Sequence, residues 1–131
     1  MLYTIALSTI LAFSQPEYET DLCGLSSVIC SYEDQEFIKR YIIQEFNKNG
    51  LDGQIGASVA MCESYLDPSE SYVNDNGTTD RGLWMLNNYW HKEVSDECAY
   101  DYKCSTAVAI EIVKKWGNFN AWYCYRNKLI K

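Results

Sequence analysis

Apolar side chains recur at helical spacing in three stretches of this chain. Phe37, Ile38, Tyr41, Ile42 and Phe46 fall on one helix face. Ser31 stands ahead of them with Asp34 three residues on as a capping-box partner, and Asn49-Gly50 provides the stop. This stripe is expected to be core rather than a binding face. A second helix is predicted from Asp52 or Gly53, with Ile55, Val59 and Cys62 on one face and Glu63 near its C-terminal end. Asp67-Pro68 ends it, because a residue before proline is pushed out of the helical region. A third runs from about Ser105 to Trp116, carrying Ala107, Ile110, Ile112 and Val113, with Gly117 as its stop. A last short helix is expected to begin near Phe119 or Asn120. Asp75-Asn76-Gly77 is a strong turn signal, so Tyr72 to Leu83 reads as a hairpin with Asp80 on its return strand. The sum is an α+β domain, mainly helical with one small β-hairpin.

The N-terminus reads differently. Leu2 to Phe13 is a short apolar run, too short to span a bilayer, and Ala12-Phe13-Ser14 supplies small residues at the offsets of a cleavage site. The expectation is a secretory signal over residues 1–14 with Gln15 as the first mature residue. The competing reading, a membrane anchor, lacks flanking stop-transfer charges. No second stretch is long enough for a membrane span, so no membrane association is expected after removal of the signal. Residues 15–31 form a polar N-terminal segment, and residues 32–131 the domain proper; a chain of 131 residues suits one domain.

Six cysteines, Cys23, Cys30, Cys62, Cys98, Cys104 and Cys124, follow that signal. An even count in a secreted chain implies a disulfide framework. The zinc alternative is disfavoured by the lack of any CxxC pair and by a single histidine, His91, so no metal or cofactor is called for. Six cysteines permit about 15 connectivities. Cys98–Cys104 and Cys23–Cys30 suit local clips, which would leave Cys62–Cys124 as the long-range staple.

Charge narrows the partners. The net charge is −7, which argues against nucleic acid and weakens attraction to anionic bacterial walls. The sequence from Lys103 onward holds six basic residues and one acidic residue, a local basic face or simply a solvated helix surface.

The candidate chemistry lies in Glu63 and Asp80. Two carboxylates on different elements, facing one cleft, are what glycosidic bond cleavage needs: one as acid, the other as base or nucleophile. Glu63 sits at a helix C-terminus, whose negative dipole end disfavours its charged form. Alone, a Glu-Ser pair or an Asp after a turn carries no weight. Arg81 is equally compatible with a purely structural ion pair, His91 with packing or surface, and an isolated Trp90 with ordinary packing.

Taken together, the residues resemble a family. The segment from Glu63 to Trp90 resembles c-type lysozymes, which carry a Glu-Ser pair, an Asp-Gly-Ser-Thr-Asp-Tyr-Gly stretch, Gln-Ile-Asn and a tryptophan. The run here is NDNGTTDRGLWMLNNYW, and the spacing of Glu63 and Asp80 matches without a gap. Asn120-Ala121-Trp122-Tyr123-Cys124-Tyr125-Arg126-Asn127 resembles the family's Asn-Ala-Trp-x-x-Trp-Arg-Asn segment. From Asp80 to Cys104 the chain is closer still to the lysozyme-like lytic transglycosylase domains of actinobacterial phages, with their Asp-Arg-Gly-Leu-Trp-Gln-Ile-Asn core.

The resemblance implies a secreted, disulfide-stapled, monomeric lysozyme-like enzyme. Its partner would be peptidoglycan or a related polysaccharide, cut at the β-1,4 bond between N-acetylmuramic acid and N-acetylglucosamine. Glu63 would be the general acid, and Asp80 would stay ionised as nucleophile or stabiliser. Trp122 matches the tryptophan that packs against the acid, Asn87 a sugar-binding asparagine, and Tyr89 and Trp90 would line the saccharide cleft. If Trp122 packs on Glu63, Cys62 and Cys124 are brought together, which supports their bridge. Two alternatives stay open: a lytic transglycosylase using Glu63 alone, and a non-catalytic saccharide-binding protein on the same fold. Met85 departs from the family glutamine, His91-Lys92 depart from Trp-Cys, and the cysteines do not follow the c-type pattern.

Overall fold

The computed structural model describes residues 32–130. The expected signal, the Ser31 cap and the Cys23–Cys30 clip lie outside the described residues. Five helices and one hairpin follow in chain order: α1 (Tyr32–Lys48), α2 (Gly53–Ser64), β1 (Ser71–Val73), β2 (Thr79–Arg81), α3 (Asp96–Ala99), α4 (Tyr102–Trp116) and α5 (Tyr123–Arg126). This is the mainly helical α+β arrangement that the sequence predicts. The strands are antiparallel, pairing Ser71 with Arg81, Tyr72 with Asp80 and Val73 with Thr79. Among the described residues no helix is long and apolar enough to cross a membrane.

The α1 stripe divides. Ile38, Ile42 and Phe46 are fully buried, whereas Phe37 is 44% exposed. Phe37 and Tyr41 form the rim of the core, both edge-on to Tyr102 of α4. Of the expected Ile55–Val59–Cys62 face, Val59 is fully buried and Ile55 packs partly buried against the core, while the close approach of α2 to α1 comes at its glycines. Gly53, Gly56, Ala57, Val59 and Ala60 are buried, and a Cβ at Gly53 would strike the α1 backbone at Ile43. Gly53 and Gly56 thus let the two helices approach closely.

Three helix boundaries differ from the sequence reading. Helix α2 starts as expected, with the Asp52 carboxylate accepting from Ile55 N at 3.0 Å. It ends before Asp67-Pro68, however, at left-handed Tyr65 and Leu66. The early reversal carries Leu66 into the core, where it is 1% exposed. Helix α4 begins at Tyr102 instead of Ser105, because Asp101 caps it by accepting from Cys104 N at 2.6 Å. The last helix begins at Tyr123, after a turn in which the Asn118 side chain accepts from Asn120 N.

Trp84 is the hub of the core. It is fully buried, stacks on Phe46 with ring centroids 5.4 Å apart, and donates from Nε1 to Thr106 Oγ1 at 3.0 Å. Its carbonyl accepts from Trp122 Nε1 at 2.8 Å, which ties the C-terminal segment to the hairpin's exit. Among the described residues two disulfides are present, Cys62–Cys124 and Cys98–Cys104. The first closes 62 residues of sequence and in the chain-entropy picture stabilises by roughly 4 kcal/mol.

Candidate active site

Helix α2, the hairpin, the loop after it, α4 and α5 enclose a cleft of about 1640 Å³. Glu63, Asp80, Trp90 and Trp122 all line it, together with Met85 and His91. Tyr89 does not line it. It is exposed, edge-on to Trp90 at 5.0 Å, with Lys92 over its ring. Trp90 is 75% exposed, an unusual state for an indole and one that leaves a flat apolar face open to a ligand. Among the described residues no group of His, Cys, Asp or Glu is arranged to hold a metal ion.

Glu63 is brought to the cleft by the last turn of α2. The hydroxyl of neighbouring Ser64 is buried and donates to Leu83 O at 2.8 Å, so the Glu-Ser pair couples the helix end to the hairpin's exit. The Glu63 carboxylate accepts from the backbone N–H of Cys124 at 2.9 Å. Burial pushes its pKa up from the ordinary glutamate value; the Cys124 N–H opposes that rise, the charge of Asp80 adds to it and Arg126 opposes it. Burial wins because the cleft wall is largely apolar. Trp122 belongs to that wall, buried and held by its own bond to Trp84 O.

Asp80 has a different setting. It sits mid-strand in β2, and both its oxygens accept from side-chain amides: Oδ1 from Asn87 at 2.8 Å and Oδ2 from Asn74 at 3.1 Å. Asn87 also donates to Thr78 Oγ1 at 3.0 Å, while its carbonyl accepts from Tyr89 N at 2.9 Å. Its amide group is therefore engaged within the protein. It orients Asp80 and the turn that carries Trp90. Asn87→Leu is expected to lower turnover at least about tenfold, because Asp80 loses one of two donors and the turn carrying Trp90 loses its side-chain acceptor. Wild-type turnover in a folded Asn87→Leu protein would show that Asn74 alone holds the carboxylate.

Arg81 is structural. It is 3% exposed and donates to the carbonyls of Leu86 and Val94 at 3.1 and 2.9 Å, with an ion pair to Asp96 at 2.8 Å. One guanidinium thus braces the loop forming the cleft's rim. His91 has its pKa lowered by burial, with Arg81 adding to the fall and Glu93 opposing it. A neutral imidazole makes its 3.9 Å approach to Glu93 a packing contact rather than an ion pair at neutral pH.

Sequence reasoning missed two functional partners. Asn74 had a signal, since a polar residue at the strand end before Asp75-Asn76-Gly77 faces the return strand. The Cys124 N–H had none, because every residue except proline carries the same donor.

Comparison with known proteins points to one family. Residues 46–124 match the family model described as a lysozyme like domain. A lysozyme of Bombyx mori is 29% identical over 115 residues, covering 76% of this chain and 84% of that protein. Lysozyme c-1 of Anopheles gambiae is 30% identical over 80 residues, covering 50% of this chain and 54% of that protein.

Proposed function

The chain belongs to the lysozyme-like domain family, and from that premise we propose that it hydrolyses the β-1,4 bond between N-acetylmuramic acid and N-acetylglucosamine in peptidoglycan. At the coarser level it is a lysozyme-type enzyme, a glycoside hydrolase or lytic transglycosylase. The observation that carries the finer reading is the inequality of two carboxylates in one cleft: Glu63 half-buried with its pKa raised, Asp80 held by two amide donors. Lysozymes are the established instance of such a pair.

In the proposed reaction Glu63 gives its proton to the glycosidic oxygen as the bond to the sugar's anomeric carbon breaks. Asp80 supplies negative charge to the oxocarbenium-like centre, as nucleophile or stabiliser. Water then adds at that carbon and returns a proton to Glu63. Trp90 offers a stacking face for a pyranose ring. The disulfides suit an oxidising compartment, in keeping with a secreted protein whose residues 1–14 are removed.

Mass spectrometry of peptidoglycan digests tests the reaction class. Hydrolysis is expected to leave reducing muramic acid ends. Exclusively anhydro-muramic ends would instead assign a lytic transglycosylase, in which a sugar hydroxyl takes the place of water and Glu63 works without Asp80.

A further inference from the structure

We propose that the Cys62–Cys124 disulfide is a positioning group for catalysis, pinning the backbone N–H of Cys124 onto the Glu63 carboxylate. The inference rests on Glu63 being the acid. Cys62 is the residue before Glu63 in α2, and Cys124 is the residue whose amide donates to Glu63 Oε1 at 2.9 Å. The covalent bridge and the hydrogen bond therefore run side by side between the same two elements, with the bridged Cα atoms 6.1 Å apart.

Helix α5 needs such an anchor. It is four residues long and its first turn has no side-chain cap, so it has little intrinsic means of holding an amide in one direction. Two attachments flank the critical N–H. One is Trp122, two residues earlier, fixed by its bond to Trp84 O and by its contacts with Trp84 and Phe119. The other is the disulfide itself. The second bridge differs in kind: Cys98–Cys104 joins α3 to α4, and neither of its residues donates to Glu63.

Cutting the bridge has a sign that follows from range. A hydrogen bond weakens steeply with angle and distance, whereas burial declines gradually. With Trp122 still wedged in the core and lining the same cleft, the burial of Glu63 changes little while the Cys124 N–H drifts. Arg126, on the same short helix, drifts with it. Both groups favour the charged carboxylate, so their retreat leaves the acid harder to ionise. The carboxyl also loses a fixed orientation, which affects the chemical step rather than substrate binding.

The test is a carbon-13 NMR titration of Glu63 in the whole chain, wild type against Cys62→Ala/Cys124→Ala. The midpoint is expected to move to higher pH, and kcat to fall roughly ten- to a hundredfold with KM little changed. Cys98→Ala/Cys104→Ala is expected to lower the melting temperature while leaving the Glu63 titration in place. A second pair, Cys62→Ala/Cys124→Val, refills the buried volume at Cys124 and carries the same expectation if the first folds poorly. An unmoved midpoint, or one displaced to lower pH, would overturn the proposal. The titration does not depend on turnover, so this failure is distinct from that of Glu63 as acid, which Glu63→Gln tests alone.

Discussion

Glu63→Gln is expected to lose at least about a hundredfold in bacterial-cell clearing, the lower range for removal of a general acid. The substitution is close to isosteric. The glutamine carbonyl can still accept from the Cys124 N–H, so the wall made by α5 and Trp122 stays in place. What disappears is the proton. The same change is expected to raise stability at neutral pH, and the sign follows from linkage. Glu63 has a folded-state pKa above its unfolded value, chiefly through burial. Between those two values the folded protein holds a proton that the unfolded chain has released, so stability falls as pH rises through that window. Below the unfolded pKa the contribution is fully present; above the folded pKa it is lost. Glutamine removes the dependence. Paired measurements, clearing rate and thermal melts from acid to neutral pH, check both halves. Activity equal to wild type would remove Glu63 from the mechanism. A glutamine variant less stable at neutral pH would show that the carboxylate's contacts with Cys124 and Arg126 outweigh its burial.

The two carboxylates were legible because each sits beside a strong local signal, a helix end for Glu63 and the Asp75-Asn76-Gly77 turn for Asp80. The elements that carry them were legible for the same reason: Asp52 caps α2, and the α1 stripe at Ile38, Ile42 and Phe46 is core. Ser95-Asp96-Glu97 carries a helix-start signal for α3, but four residues are too few to show an apolar period. Other features had no local signature. The left-handed pair Tyr65-Leu66 exists because Leu66 is drawn into a core assembled from distant segments. Gly53 and Gly56 lie against α1, which depends on how closely two helices can approach. The environment that raises the Glu63 pKa is largely tertiary, since the groups that act on it, the Cys124 N–H, Asp80 and Arg126, all come from other elements.

Gly82→Ala is expected to be the most damaging single-methyl change in the hairpin region, destabilising by roughly 3 kcal/mol or more. Gly82 follows Asp80-Arg81, with φ +72°, and its N–H donates to Glu70 O at 2.7 Å. The left-handed conformation alone costs an alanine about 1–2 kcal/mol. Space adds the rest. A Cβ here would land on the carbonyl oxygen of Ala99 and come within 2.9 Å of its carbonyl carbon, both backbone atoms of a fully buried residue. Neither side can yield easily: Arg81 is locked by carbonyls on one flank, and Trp84 is locked into the core on the other. Gly77→Ala separates the two contributions. Gly77 has φ +82° but open space where its Cβ would be, so it carries the conformational cost without the collision. Melting temperatures are expected to fall by about 4–8 °C for Gly77→Ala and by more than about 12 °C for Gly82→Ala. Equal losses would mean that Ala99 moves aside, and that the Asp-Arg-Gly-Leu-Trp run needs its glycine for backbone angle alone. Unequal losses would mean that this glycine is where the hairpin's exit and α3 meet, backbone against backbone, to hold Asp80 against the cleft.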